Sequence, residues 1–63
     1  MMFNIKAFLS NGVLVFDAQT FWVPHKGDEL ETAGYVFVVD SVRYKLHGGT
    51  TYSTDVELRL RYK

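Results

Sequence analysis

The stretch Gly34-Tyr35-Val36-Phe37-Val38-Val39-Asp40-Ser41-Val42-Arg43-Tyr44-Lys45-Leu46 decides the fold. From Tyr35 to Val39 every residue is apolar, whereas beyond Asp40-Ser41 the apolar Val42, Tyr44 and Leu46 alternate with Arg43 and Lys45. Successive side chains of a strand point to opposite faces. The first half is therefore apolar on both faces and the second half on one. A strand that bends sharply at a bulge, as at the corner of a barrel, has this pattern, and Asp40-Ser41 marks the bend. Downstream, Val56, Leu58, Leu60 and Tyr62 alternate strictly with Glu57, Arg59, Arg61 and Lys63. That period predicts a closing strand from Val56 to Lys63, with His47-Gly48-Gly49-Thr50-Thr51-Tyr52-Ser53-Thr54 as the connecting loop.

Upstream, Ala33-Gly34 and Gly27-Asp28 are turn dipeptides flanking Glu29-Leu30-Glu31, and Pro24 removes a backbone donor that a helix would need. At the N-terminus Phe3, Ile5, Ala7 and Leu9 share one face of a strand over residues 3–9, and Asn4, Lys6 and Phe8 share the other. Asn11-Gly12 follows and predicts a two-residue type I′ hairpin returning through Val13-Leu14-Val15-Phe16. The segment from Asp17 to Trp22 has room for one helical turn at most. About five strands joined by short turns make this an all-β chain: a single domain over 1–63, built as a small, strongly bent barrel whose closure hides strand edges.

The 63 residues carry seven Lys and Arg against seven Asp and Glu, and no Cys, which excludes disulfides and thiolate zinc sites. A chain of this length buries only about 60% of its unfolded surface, so efficient packing or a partner has to supply stability. No apolar run approaches the roughly 20 residues of a membrane span, and Met1-Met2-Phe3-Asn4 lacks the basic and apolar regions of a signal peptide. These features predict a soluble, cytoplasmic protein with no membrane partner.

Pro24-His25-Lys26-Gly27-Asp28, followed by Gly34, Phe37, Val39 and Val42 in Gly-x-x-Phe-x-Val-x-x-Val, resembles the pattern of short SH3-like β-barrel proteins of bacteria and their phages. The resemblance covers residues 22–62 and leaves the N-terminal hairpin as an addition. It implies an SH3-like barrel that acts by binding, and brings with it neither a catalytic residue nor a named partner, because such barrels host many functions.

The residues give no catalytic constellation. Ser10, Ser41 and Ser53 stand outside any Gly-x-Ser-x-Gly elbow, and a barrel this small has little dry interior in which to raise a carboxyl pKa. His25 and His47 lie 22 positions apart without zinc-ligand spacing, and Asp28, Glu29 and Glu31 lack the calcium-loop pattern. The Gly48-Gly49 segment has neither the Lys nor the helix of a phosphate loop. We therefore expect no catalytic residue, no metal and no cofactor.

Charge is segregated along the chain. Residues 1–42 carry Lys6 and Lys26 against Asp17, Asp28, Glu29, Glu31 and Asp40, a net −3; residues 43–63 carry Arg43, Lys45, Arg59, Arg61 and Lys63 against Asp55 and Glu57, a net +3. If the last two strands pair, Arg43 and Lys45 lie beside Arg59 and Arg61 on one face, with like charges opposed at a cost of tenths of a kcal/mol per pair. The competing reading is an ordinary solvated face partly neutralised by Asp55 and Glu57. Ten aromatics exceed what the interior can hide. Phe3, Phe16, Phe37, Trp22 and Tyr44 or Tyr62 suffice to fill it, while Phe8, Phe21, Trp22, Tyr35 and Tyr52 are expected to be partly exposed.

Three functions compete. The leading one is a binding module, a phage-type or bacterial protein that modulates a larger protein partner. The second is nucleic-acid binding through the basic strand pair, against which the sequence pI of 6.7 weighs. The third is a structural subunit of a homodimer or larger assembly. The candidate binding residues are Arg43, Lys45, Arg59, Arg61, Tyr35, Tyr52 and Trp22.

Overall fold

A computed structural model describes residues 2–47 and 53–63 of the chain. Five strands form one sheet: β1 (Phe3–Leu9), β2 (Leu14–Thr20), β3 (Glu29–Thr32), β4 (Tyr35–His47) and β5 (Ser53–Tyr62). Among the described residues there is no helix. The strand order is β2-β1-β5-β4-β3, antiparallel throughout except that β1 runs parallel to β5 in the middle. The sheet curls into a half-barrel, the all-β, small SH3-like architecture with an N-terminal hairpin that the sequence predicts. Its two terminal strands, β2 and β3, do not pair with each other. Closure is therefore incomplete, and the edges that a full barrel would hide stay open.

The concave face carries the core. Ile5, Ala7, Phe37, Val39, Val56, Leu58 and Leu60 are buried, and Phe3, Leu9, Val15, Phe16, Val23, Leu30 and Val42 pack around them. Among the described residues no polar or charged side chain is buried. This follows from the two-residue period: the inward positions of β1 and β5 are the apolar series read in the sequence. The register of β4 against β5 shifts between Val39 and Ser41, so Asp40 is the extra residue of a bulge. It turns the strand where the pattern changes from apolar on both faces to apolar on one, as the sequence predicts.

Two local expectations are corrected. The first hairpin forms, but Asn11 has no positive φ and Gly12 alone has one, 88°. The Gly12 amide donates to the Leu9 carbonyl at 2.9 Å, and the Leu9 amide donates to the Val13 carbonyl at 2.9 Å. The connection is thus the three-residue Ser10-Asn11-Gly12 loop, a turn followed by a left-handed glycine, and not a two-residue type I′ turn. The Asn11 side chain accepts from the Val13 amide at 3.1 Å and holds the loop in that form. The type I′ geometry occurs instead between β3 and β4, where Ala33 at φ 54° and Gly34 at φ 82° are both left-handed. Finally, Asp17 to Thr20 continues as strand and does not form a helical turn.

The segment between β2 and β3 is tied down without strand structure. The His25 amide donates to the Asp28 carboxylate at 2.8 Å, and the Asp28 amide donates to the His25 carbonyl at 3.0 Å. Gly27, at φ 94°, supplies the left-handed position of this Lys26-Gly27 turn and donates to the Val39 carbonyl at 2.8 Å. Pro24 is buried. The Pro-x-x-Gly-Asp pattern therefore works as a brace that locks this connection onto β4 at the bulge.

Candidate functional site

The convex face is a ladder of polar side chains set by the strand registers. Arg43, Lys45, Arg59 and Arg61 share this face, as the period predicts, but they are not opposed to one another. Arg43 lies opposite Glu57, Lys45 opposite Asp55, and Ser41 opposite Arg59. Lys45 Nζ is 3.1 Å from one Glu57 oxygen and an Arg59 nitrogen is 3.1 Å from the other. Arg61 pairs with Asp40 at 2.8 Å, and Lys63 with Glu29 at 3.0 Å. The expected like-charge repulsion is thus replaced by cross-strand attraction, because His47 stands opposite Ser53 and that register brings acids against bases.

Glu57 is the hub. Its side chain is 17% exposed, and Lys6 of β1 stands opposite it on the other side. The hydrogen bond from Lys45 holds its carboxyl below the ordinary glutamate value; partial burial opposes this, and the charges of Lys45, Arg59 and Arg43 reinforce it. On the same face Asn4 donates to Asp55 at 3.2 Å and accepts from Gln19 at 3.0 Å, carrying the ladder from β2 to β5. Arg59 also sits over the Phe8 ring, 5.3 Å from its centroid, which uses one of the aromatics expected to be exposed. A depression of about 370 Å³ lies on this face between Asn4, Lys6, Asp17 and Glu57. Its floor is the ladder itself, in which Glu57 is held by Lys45 and Arg59.

The second depression has the opposite character. It is a cleft of about 320 Å³ on the concave side, between the open edges: Phe16 and Ala18 of β2 form one wall, Leu30 of β3 the other, and Trp22 and Pro24 of the connection one end. Its lining is largely apolar. Trp22, which lines the recess, is 60% exposed, and its chain neighbour Phe21 is 75% exposed. The Thr20 hydroxyl donates to the Trp22 carbonyl and fixes the chain where it leaves β2.

The candidate residues are therefore divided. Arg43, Lys45, Arg59 and Arg61 lie together on the convex ladder, and Trp22 lies at the cleft. Tyr35 is exposed on a third locus, an aromatic cluster with Phe37 and Tyr62; the Tyr35–Tyr62 centroids are 5.7 Å apart and the Phe37–Tyr62 centroids 5.0 Å. Tyr52 lies outside the described residues. Of the aromatics assigned to the interior, Phe37 is buried and Phe3 and Phe16 are half-buried, whereas Tyr44 and Tyr62 are exposed. The sequence reading missed Phe16, Ala18, Pro24, Leu30 and Glu31 as parts of one cleft. Phe21-Trp22 beside Pro24 was the available signal, since a turn cannot bury two successive aromatics on opposite sides.

Among the described residues no three His, Asp or Glu side chains come together to hold a metal ion. No helix among them is long and apolar enough to cross a membrane. Comparison of the chain with protein-family models, with curated proteins and with solved structures finds no match.

Proposed function

We propose that the protein is a non-catalytic binding module that engages a larger protein partner through the concave cleft. The observation that carries this reading is the cleft itself, an apolar recess between two unpaired strand edges with Trp22 exposed at its mouth. Exposed Trp is enriched among residues that dominate protein–protein binding energy, and apolar recesses with few polar groups are where such anchors work. The resemblance to SH3-like barrels of bacteria and phages agrees with a binding role and adds no partner.

The nucleic-acid reading rests on Arg43, Lys45, Arg59 and Arg61, and the pairing of the last three with Glu57 and Asp40 weighs against it. A cation already held by a carboxylate must lose that partner before it neutralises a phosphate. The test is a pull-down of the tagged protein from a bacterial lysate, with and without nuclease, beside a Trp22→Ala variant. The expected result is a protein retained after nuclease and lost with the variant. Enrichment that vanishes with nuclease and survives in Trp22→Ala would overturn the reading in favour of the convex face.

A further inference from the structure

The geometry points to a specific occupant for the cleft: an extended peptide segment that adds as a strand to the open edge of β2, with apolar side chains facing in and Lys or Arg facing out. This rests on the protein-binding reading and names the chemistry of the segment bound.

Three features of the structure define that segment. First, β2 is a seven-residue edge strand whose outer side pairs with none of the described strands, and β3 is the edge facing it across the cleft. Exposed edges of this kind are templates for strand addition, in which main-chain hydrogen bonds bind the backbone and alternate side chains enter pockets. Second, the inward side of the added strand would meet Phe16, Ala18 and Leu30, so every second residue of the segment must be apolar. Third, the outward neighbours are acidic. Asp17 stands at the centre of β2 on the convex side, opposite Lys6, and Glu31 stands on β3 opposite Val36. Neither makes an ion pair with a described residue. Over residues 14–32 the chain has Asp17, Asp28, Glu29 and Glu31 against Lys26 alone. An outward Lys or Arg on the added strand would face carboxylates from both edges, whereas an outward acid would be repelled by both.

The same charges argue against a second copy of this chain on the edge. An antiparallel two-fold pairing of Leu14–Thr20 with itself about its midpoint would set Asp17 against Asp17 of the other copy.

The probe is the peptide acetyl-Thr-Val-Lys-Val-Arg-Val-Thr-amide, titrated into the isotopically labelled protein and followed by amide and indole NMR shifts. Its controls are the same peptide with Glu at both basic positions and one with N-methyl groups on alternate amides. Shifts at residues 14–20, at 29–32 and at the Trp22 indole are expected, with the basic peptide binding about tenfold tighter than the acidic one because two cross-strand pairs change sign. The Asp17→Lys, Glu31→Lys double variant, which alters only exposed side chains, should reverse that preference. The N-methylated peptide should not bind.

Any one of four results overturns the proposal: no shifts at about 1 mM peptide, shifts confined to the convex ladder, equal binding of the N-methylated peptide, or the same shifts appearing with protein concentration alone as the mass doubles. The double variant separates this proposal from the reading it rests on. If a protein partner is captured equally by wild type and by the double variant but not by Trp22→Ala, the protein-binding reading stands and the basic-strand proposal falls.

Discussion

Replacing Ala33 by Asn should stabilise the protein. Ala33 has φ 54° in the two-residue turn between Thr32 and Tyr35, where both central positions are left-handed. For a residue with a Cβ, that conformation costs about 1–2 kcal/mol, from the approach of Cβ to its own carbonyl oxygen. Asn tolerates it through local hydrogen bonding and keeps a Cβ, so it adds no unfolded-state freedom; roughly 0.5–1 kcal/mol should be recovered. Gly removes the whole steric term of about 1–2 kcal/mol but returns about 0.5–1 kcal/mol through the entropy of the unfolded chain, so its net gain should be similar to that of Asn. For a domain of this size 1 kcal/mol moves Tm by about 4–8 °C, and Ala33→Asn should raise it by about 2–8 °C. Ala33→Val should lower it, because a β-branched side chain is least tolerant of positive φ. Thermal unfolding followed by circular dichroism, with urea midpoints as a second measure, reads all three variants. An Asn variant no more stable than wild type, together with a Val variant that loses nothing, would refute the left-handed turn and the reasoning built on it.

Leu58→Ala empties the centre of the core at a residue with 0% exposure. A loss of about 2–5 kcal/mol is expected, enough to leave so small a domain largely unfolded, which collapsed NMR dispersion would show. Glu57 gives a pH prediction. Its folded pKa is depressed, so its stabilisation is present above the unfolded glutamate value and is lost as pH falls through the lower folded value. The difference in urea midpoint between wild type and Glu57→Gln should therefore shrink on acidification; a difference that stays constant down through that window would sink the ladder account. Asp40→Ala removes an exposed pair with Arg61 and should change stability by less than about 1 kcal/mol, measured by the same unfolding curves.

Local pattern made much of this architecture legible. Alternation placed the inward sets Ile5–Ala7 and Val56–Leu58–Leu60, and the break at Asp40-Ser41 located the bulge. Turn identity was not legible from Asn11-Gly12 alone, because Ser10 also joins the loop and the Asn11 side chain, by accepting from Val13, favours the three-residue form. The end of β2 was obscured because its inward residues there are Ala18 and Thr20, small or polar side chains that give little periodic signal. The charge ladder was hidden for a different reason. A period of two assigns faces but not register, and Asp55, Glu57, Arg59 and Arg61 all occupy outward positions. Which of them meets Arg43 depends on where the connection after His47 returns. The cleft was the least visible feature, since its walls come from two strands that do not pair.

The placement of β5 has a consequence for how the chain reaches this shape. Of the five strands, the fifth in sequence is the one in the middle: β1 pairs with β5 and β5 with β4, and β5 joins the β1–β2 hairpin to the β3–β4 hairpin in the sheet order. Until it arrives, each hairpin is a two-stranded ribbon with an exposed apolar side, a form that is marginal in water at best. Assembly thus waits on the most distant contact in the chain, Phe3 with Thr54 and Leu9 with Leu60, and such topologies fold slowly and all at once. β5 acts as a keystone, so neither hairpin has a stable halfway house without it, and deleting this one strand would undo both together.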